Sequence, residues 1–468
     1  MFSKKSIGPL IAISLLIVVS VVAVIGFQTW YNTYSSEIFS DNEQQSNILD
    51  NNIKPYLLGN TLNILNPNGN NLTILQILVD GKKTNISANI SSEGLKVDLS
   101  EFLASNNEVE KISIITNNGI VTKEFYYYKS ISQSNNFLCN ITTPEGFAGG
   151  DGSLANPWEI CNCDMLQNIS NYLGGNYSQI CDIDCGIYPY NVGEGFNPIG
   201  DSWSNCFRGN YNGNNFKINN LYINRSIENY VGLFGYVYYG NINNSYSSGS
   251  VVGNNSVGGL VGSLEDSNIY NSYFCGSVVG NNNVGGLVGD KYYGDIDNSY
   301  FSGSVVGDWG VGGLVGVHYG SNIDNSYSTG LVFGNDYVGG LVGENYFGNI
   351  DNSYSSSSVV GNETVGGLVG VHYGSNIDNS YSTGSVVGNF TFGGFVGNFT
   401  SGNILNSYYD NETSNQSNAF GSGSTTGIVG KTTIELQTPT SNTGIYANWS
   451  LSNWNFGTSN DYPKLAWE

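Results

Sequence analysis

Residues 284–300 read Val-Gly-Gly-Leu-Val-Gly-Asp-Lys-Tyr-Tyr-Gly-Asp-Ile-Asp-Asn-Ser-Tyr, and the frame they set returns every 27 residues. The run Val-Gly-Gly-Leu-Val-Gly begins at Val257, Val284, Val311, Val338 and Val365, with degenerate copies from Val231 and Phe392. Ile242, Ile269, Ile296, Ile323, Ile350, Ile377 and Ile404 keep the same step, as do the asparagines from Asn244 to Asn406 and the tyrosines from Tyr246 to Tyr408. A strict 27-residue period in a Gly-rich chain full of β-formers predicts one solenoid coil per repeat. The expected fold class is therefore all-β, a parallel β-helix of 27-residue coils.

Within one unit three strands are expected: Val-Gly-Gly-Leu-Val-Gly, then Asn-Ile-Asp-Asn-Ser-Tyr, then Gly-Ser-Val-Val-Gly, with Gly and Asn at the corners where φ is positive. In the second strand Ile296, Asn298 and Tyr300 share parity, and Asp297 and Ser299 point the other way. A buried Asp row would be costly, so the core is expected to hold Ile, an Asn ladder and Tyr. The Gly pairs serve either a sharp turn or the close packing of a bulky Tyr. Seven coils at ~4.8 Å each make a shaft of roughly 34 Å. Its two open ends require caps. The repeats fill residues 225–410, the Cys-rich stretch 131–224 supplies the N-terminal cap and first coils, and 411–468 form the C-terminal cap.

Net charge is −22, and no basic stripe is available to meet phosphates, which excludes nucleic-acid binding. The run from Ile7 to Phe27 carries no charge and is long enough to cross a bilayer. Lys4 and Lys5 precede it, and Trp30, Tyr31 and Tyr34 follow as an interface belt. This predicts a single-pass membrane helix in residues 1–34, N-terminus cytoplasmic and the bulk of the chain extracellular. A cleaved signal peptide is the alternative. A polar stalk (35–54) leads to alternating strands in 55–130, which predict a small β-sandwich acting as a spacer or as a pilin-like head.

Outside the cytoplasm disulfides are permitted. Cys139, Cys161, Cys163, Cys181, Cys185 and Cys206 fall in the lead-in, and Cys275 stands alone in the repeats. Cys161-x-Cys163 and Cys181-x₃-Cys185 lie about one coil apart. The expected staples are Cys163–Cys185 and then Cys161–Cys181, with Cys275 a free thiol. A zinc site is the rival, without a C-x₂-C spacing or a nearby His.

Catalytic chemistry is hard to place. The two histidines, His318 and His372, lie two repeats apart in the same Val-His-Tyr-Gly context, which makes them part of the repeat and not bases. No His-Glu-x-x-His and no plausible Ser-His-Asp set is present. A polysaccharide-active β-helix enzyme would need a carboxylate pair that breaks the repeat. The acidic residues Asp297, Asp324, Asp351 and Asp378 instead occupy one position in four consecutive units. On a solenoid they form an outer row at ~4.8 Å spacing, screened by solvent or relieved by Ca²⁺. No other cofactor is expected. Tyr238, Tyr239, Tyr292, Tyr293, Tyr319 and Tyr373 recur just before the Ile strand and are candidates for stacking on sugars. Sequons at Asn71, Asn140, Asn176, Asn362, Asn389 and Asn398 make glycosylation an expectation.

The Val-Gly-Gly-Leu-Val-Gly…Asn-Ser-Tyr unit resembles the GLUG repeat of bacterial and archaeal surface proteins. The flanks Gly149–Trp158, Phe196–Gly200, Tyr408–Thr413 and Tyr462–Trp467 agree with that resemblance. GLUG repeats occur in adhesins and in some IgA-cleaving metallopeptidases, whose activity sits in a separate zinc domain. The resemblance thus implies adhesion or display, with glycans or proteins of another cell as partners, and no catalysis. The segment Lys4–Ile11 resembles archaeal type IV pilin-like N-termini, which implies an archaeal envelope, cleavage after Ser6 and possible self-assembly through the hydrophobic helix. A structural envelope or pilus-like component is therefore the second reading of function.

Overall fold

The structure, a computed structural model, describes residues 139–468 together with eight strands between residues 54 and 126. The expected membrane helix of residues 1–34, its pilin-like leader and nearly all of the stalk lie outside the described residues. The chain divides into two compact units, residues 1–136 and 137–468.

In the first unit every described strand pairs antiparallel. Lys54–Leu58, Thr61–Leu65 and Leu95–Asp98 form one sheet. Leu72–Val79, Lys82–Lys83, Ala88–Ile90, Val109–Thr116 and Gly119–Tyr126 form another. Ile77 and Ile114 sit opposite each other in register, and both are buried. Alternation in Leu72–Val79 and Val109–Thr116 brings these branched side chains to one face.

The second unit is the solenoid. Among the described residues it has parallel sheets of 16, 12 and 6 strands, in which each strand of the repeat coils pairs with its copy 27 residues on, while the lead-in and C-terminal strands pair at other separations. One coil shows the plan: Asn282–Gly285, Val288–Tyr292, Ile296–Asp297 and Tyr300–Val306. The first lies in the 6-stranded sheet, the next two in the 16-stranded sheet and the last in the 12-stranded sheet. Val284, Leu287, Val288, Ile296, Phe301 and Val305 point inward and are fully buried. Their counterparts stack above and below them as one continuous apolar core.

Two sequence expectations about the coil are corrected. Val-Gly-Gly-Leu-Val-Gly is not one strand: the chain turns within it, and its halves belong to different sheets. A Cβ on the first Gly of the pair, Gly285, would fall 2.0 Å from the Val288 carbonyl oxygen, which is the turn itself. A Cβ on the second, Gly286, would meet the Phe301 ring at 2.1 Å. The pair therefore serves both purposes: the packed ring is Phe274 at Gly259, Phe301 at Gly286 and Tyr409 at Gly394.

The second correction concerns parity. Asn298 and its six equivalents hold φ of 45–50°, the left-handed corner between two strands. Alternation holds only along continuous strand, so the corner resets it. Ile296 is buried, but so is Ser299, while Tyr300 lies at the surface side of the next strand. The interior polar ladder is consequently one of serine: Ser272 N donates to Ser299 Oγ at 3.1 Å and Ser299 N to Ser326 Oγ at 3.2 Å. One amide ladder runs one residue before Ile, where Asn241 Nδ2 reaches Asn210 Oδ1 at 2.8 Å and Asn268 Nδ2 reaches Asn241 Oδ1 at 2.9 Å, and at the corner Asn271 Nδ2 reaches Asn244 Oδ1 at 3.2 Å.

Both ends are closed. At the N-terminal end Phe147 stacks on Trp158 at 4.9 Å, with Tyr177 edge-on to Phe147. A short helix, Cys163–Asn168, is capped by the Asn162 side chain, which accepts from Met165 N. Disulfides join Cys163 to Cys185 and Cys139 to Cys161. The expected Cys161–Cys181 bridge is therefore corrected: Cys161 is taken by Cys139, and Cys181 is a thiol whose Sγ lies 3.0 Å from the Cys161 carbonyl oxygen. Cys275 is also a free thiol. At the other end, residues 432–468 fold back along the solenoid wall. Leu436, Tyr446, Trp449, Trp454, Phe456 and Leu465 bury Tyr354, Tyr381 and Tyr408 there in a second core.

Candidate functional site: an aromatic corner

The strand Val288–Tyr292 ends on Tyr292, and its register places Tyr319, Tyr346 and Tyr373 on the three coils above. The next residue turns the corner. Tyr293, Gly320, Phe347 and Gly374 hold φ of 57, 69, 59 and 81°. Left-handed geometry is an outlier for a bulky ring and costs of order 1–3 kcal/mol. The glycines explain how the rings sit. A Cβ on Gly320 would meet the Tyr293 ring at 2.8 Å, and one on Gly374 the Phe347 ring at 2.7 Å. Each corner aromatic lies across the glycine of the coil above.

The result is a continuous row of rings over four coils. Centroids lie 6.2 Å apart for Tyr292–Tyr319, 5.8 Å for Tyr293–Tyr319, 5.7 Å for Tyr319–Phe347 and 5.1 Å for Phe347–Tyr373. Tyr292, Tyr293, Phe347 and Tyr373 keep between 38 and 50% of their surface exposed, so the row is both packed and open to solvent. Tyr238 and Tyr239 form a separate pair at 4.2 Å, with Arg208 over Tyr238. The coil between carries Glu265 and Asp266 at these positions and interrupts the row. The sequence reading identifies Tyr292, Tyr293, Tyr319 and Tyr373 but passes over Tyr346 and Phe347. Counting 27 residues from Tyr319 and from Gly320 would have found them.

Beneath the row lie carboxylates shielded by the neighbouring corner. Ser256 Oγ donates to Asp290 Oδ2 at 2.5 Å, and Tyr346 OH to Glu344 Oε2 at 2.6 Å. Burial pushes the Asp290 carboxyl up to about 6 and raises that of Glu344. Burial, then the nearby Asp290, pushes the Tyr292 phenol up to about 12. Neutral phenols at this corner keep an O–H to donate.

The acidic row of Asp297, Asp324, Asp351 and Asp378 keeps its expected register, on the face opposite the buried Ile column, but it is half-buried. Asn298 and Asn325 amides each donate to Asp297 at 2.9 Å. Burial, then Asp351 and Asp297, pushes Asp324 up to about 7, and burial with Asp378 pushes Asp351 up to about 6. Among the described residues no three His, Cys, Asp or Glu side chains converge as a metal would require.

The histidines lie inside the coil. Leu264, Lys291, His318, Asn345, His372 and Phe399 follow one another up a single interior column. Lys291, His318, Asn345 and His372 are fully buried. Lys291 Nζ donates to the Gly320 carbonyl at 3.0 Å, and His318 Nε2 lies at the same oxygen at 3.0 Å. Asn345 Nδ2 bonds the Gly348 carbonyl at 2.8 Å and lies 3.0 Å from His372 Nδ1. Burial brings Lys291 down to about 7 and His372 down to about 4. Neither ring is open to solvent in this position.

Residues 280–306, 307–332, 334–360 and 361–387 match the GLUG motif. They coincide with four successive coils of the aromatic-bearing shaft. A Gly-rich membrane protein, so named, of Evansella cellulosilytica is 44% identical over 93 residues, which is 19% of this chain and 11% of that protein. Halomucin of Haloquadratum walsbyi is 35% identical over 120 residues, 24% of this chain and 1% of its own length. The chain thus spans a small part of either relative. A Bacteroides ovatus structure named as an immunoglobulin A1 protease superposes with a TM-score of 0.50 at 23% identity, over 69% of this chain and 96% of that one. That likeness shows the shared fold, a parallel β-solenoid.

Proposed function

We propose that the protein is a display shaft of the cell envelope whose aromatic corner binds glycans on a neighbouring surface. The observation that carries this reading is the unbroken row from Tyr292 to Tyr373, half-exposed across four coils. Rings held across glycines and edge to face with one another offer rigid apolar surface at little entropic cost, and phenol O–H groups among them donate hydrogen bonds. One matched relative bears the name of a membrane protein, in keeping with residues 1–34 as a single-pass anchor and the shaft outside the cell. Glycosylation at the outward sequons Asn140 and Asn389 would suit that location. Calcium on the Asp297–Asp378 row is not needed for it. Catalysis is not part of this reading: both histidines of the chain are buried in the column, away from the aromatic corner. Full-length protein in detergent, applied to a glycan array, should bind a defined set of oligosaccharides. Tyr293→Ser combined with Tyr373→Ser should weaken that binding about tenfold or more. An array without signal, or binding indifferent to the double substitution, would refute the proposal.

A structural role in the envelope is the second reading, supported by the continuous apolar run Ile7–Phe27. Deleting residues 1–34 should abolish a structural role and leave glycan binding by the remainder intact.

A further inference from the structure

The 12-stranded sheet, entered just past the Asn298 corner, carries a second ladder, of which only part is covered. Tyr246, Tyr273, Tyr300, Tyr327, Tyr354 and Tyr381 stack in turn, with centroids 4.3–4.8 Å apart. The folded-back C-terminal segment reads this ladder through two tryptophans in the same way. Trp449 Nε1 donates to the Asn406 carbonyl at 2.8 Å, and its ring lies 5.9 Å from Tyr408 and 6.1 Å from Tyr381. Trp467 Nε1 donates to the Asn325 carbonyl at 3.0 Å, and its ring lies 5.8 Å from Tyr327 and 6.2 Å from Tyr300. Each seat is one left-handed corner Asn, the Tyr two residues on and the Tyr of the coil below. The two occupied seats are three coils apart.

The same seat recurs below Trp467. Asn271 and Asn298 hold φ of 49 and 50°, as Asn325 and Asn406 do at 45 and 48°. Neither carbonyl accepts a hydrogen bond from a described residue. Tyr273 with Tyr246 at 4.3 Å, and Tyr300 with Tyr273 at 4.6 Å, stack much as Tyr327 with Tyr300 do at 4.8 Å in the Trp467 seat. A groove of about 560 Å³ runs along these residues and ends at Trp467, with Lys464 and Glu468 at that end.

We propose that this groove docks an extended, tryptophan-bearing peptide segment of a partner protein, its indole seated at Asn271 between Tyr273 and Tyr246. The Asn271 seat lies two coils, about 10 Å, from that of Trp467, so both indoles fit. The chain's own tail argues for a peptide over a sugar. Both occupied seats pair an indole N–H with a main-chain carbonyl, a contact that depends on backbone shape and that the coil repeats unchanged. This inference is independent of the glycan-binding corner, which lies on other strands.

The test uses the full-length protein and a fluorescein-labelled peptide, Tyr-Pro-Lys-Leu-Ala-Trp-Glu, copied from residues 462–468. Fluorescence anisotropy should show saturable binding that falls about tenfold or more when the peptide Trp is replaced by Ala. Tyr246→Ser should weaken it comparably, because Tyr246 walls the Asn271 seat and touches no part of the tail. Tyr246→Phe should restore it, which separates loss of the seat from loss of folding. The proposal is overturned if no binding saturates by millimolar peptide, or if the Trp-free peptide binds equally. Binding unchanged by Tyr246→Ser also overturns it, since the peptide would then be exchanging with the tail. So does a hexasaccharide that binds this groove when the peptide does not, which would reassign it to carbohydrate.

Discussion

Single residues decide where this chain can bend. Gly249, Gly276, Gly303 and Gly330 hold φ between 127 and 152°, and a Cβ on Gly303 would lie 2.0 Å from the Gly276 carbonyl oxygen. The next coil carries Ser357 in place of the glycine, and its chain responds. The seven-residue strand seen in Tyr327–Phe333 splits there into Tyr354–Ser355 and Ser358–Val360. A side chain at this position cannot keep both the dihedral and the close approach to the coil below. Gly303→Ala should therefore destabilise by roughly 3 kcal/mol, through strain and a backbone clash together. Thermal unfolding of the variant beside Ser302→Ala measures it, and the neighbour should shift by far less. These positions were only partly legible. The 27-residue step exposed every column, but the sequence alone did not show that Asn298 turns the chain. A left-handed corner and a strand position look alike when Asn serves both. Reading the corner as strand put Tyr300 inside and Ser299 outside, the reverse of their places.

At the scale of one element, the interior column from Leu264 to Phe399 is the least repetitive part of a repetitive fold. The Val, Leu and Ile rows are the same in each coil and so cannot tell one coil from the next. Lys291, His318, Asn345 and His372 differ, and each bonds a particular carbonyl of its own coil or the one above. Buried polar groups of this kind can fix register at a cost in stability. Lys291 shows the cost. Burial lowers its ammonium to about 7, against a weaker pull upward from Asp295 and Asp324, and beside it His318 is held neutral by burial and by Lys291 itself. A folded-state value below the unfolded one means the unfolded chain binds more protons between about pH 7 and 10.5, so this group's contribution grows more favourable as pH rises through that window. Lys291→Met should thus raise stability by roughly 2 kcal/mol at pH 7, with the gain shrinking towards pH 10. Denaturant titrations at the two pH values check both the sign and the trend. That the histidines belong to the repeat was legible from their shared Val-His-Tyr-Gly context. That they are buried was not, because their neighbours Val317 and Tyr319 read equally well as an outward strand.

For the whole molecule, the shaft is a stack whose ends carry the specificity that its middle lacks. The N-terminal end is held by Cys139–Cys161 and Cys163–Cys185, each closing a separation of 22 residues. Loops of that length contribute on the order of 3 kcal/mol each when crosslinked. Replacing Cys163 and Cys185 by Ser should lower the melting temperature and raise hydrogen exchange first in residues 158–185, before the GLUG coils respond. Exchange that begins in the coils instead would place the weak point elsewhere. The period, the parallel coils and the need for caps were all visible beforehand, since each derives from the repeat. The partner of Cys161 was not, because Cys139 lies ahead of the first coil and has no periodic counterpart.

The folded-back tail gives the shaft a direction under load. Residues 432–468 run down the wall from Tyr408 to Tyr300, fastening successive coils by Trp449, Trp454 and Trp467. A pull on Glu468 away from the wall frees Trp467 first and then the others singly, as a zip opens. A pull along the shaft axis strains all three together, as a lap joint resists shear. A tether at the tail would therefore release at low force when tugged sideways and hold at high force when tugged lengthwise.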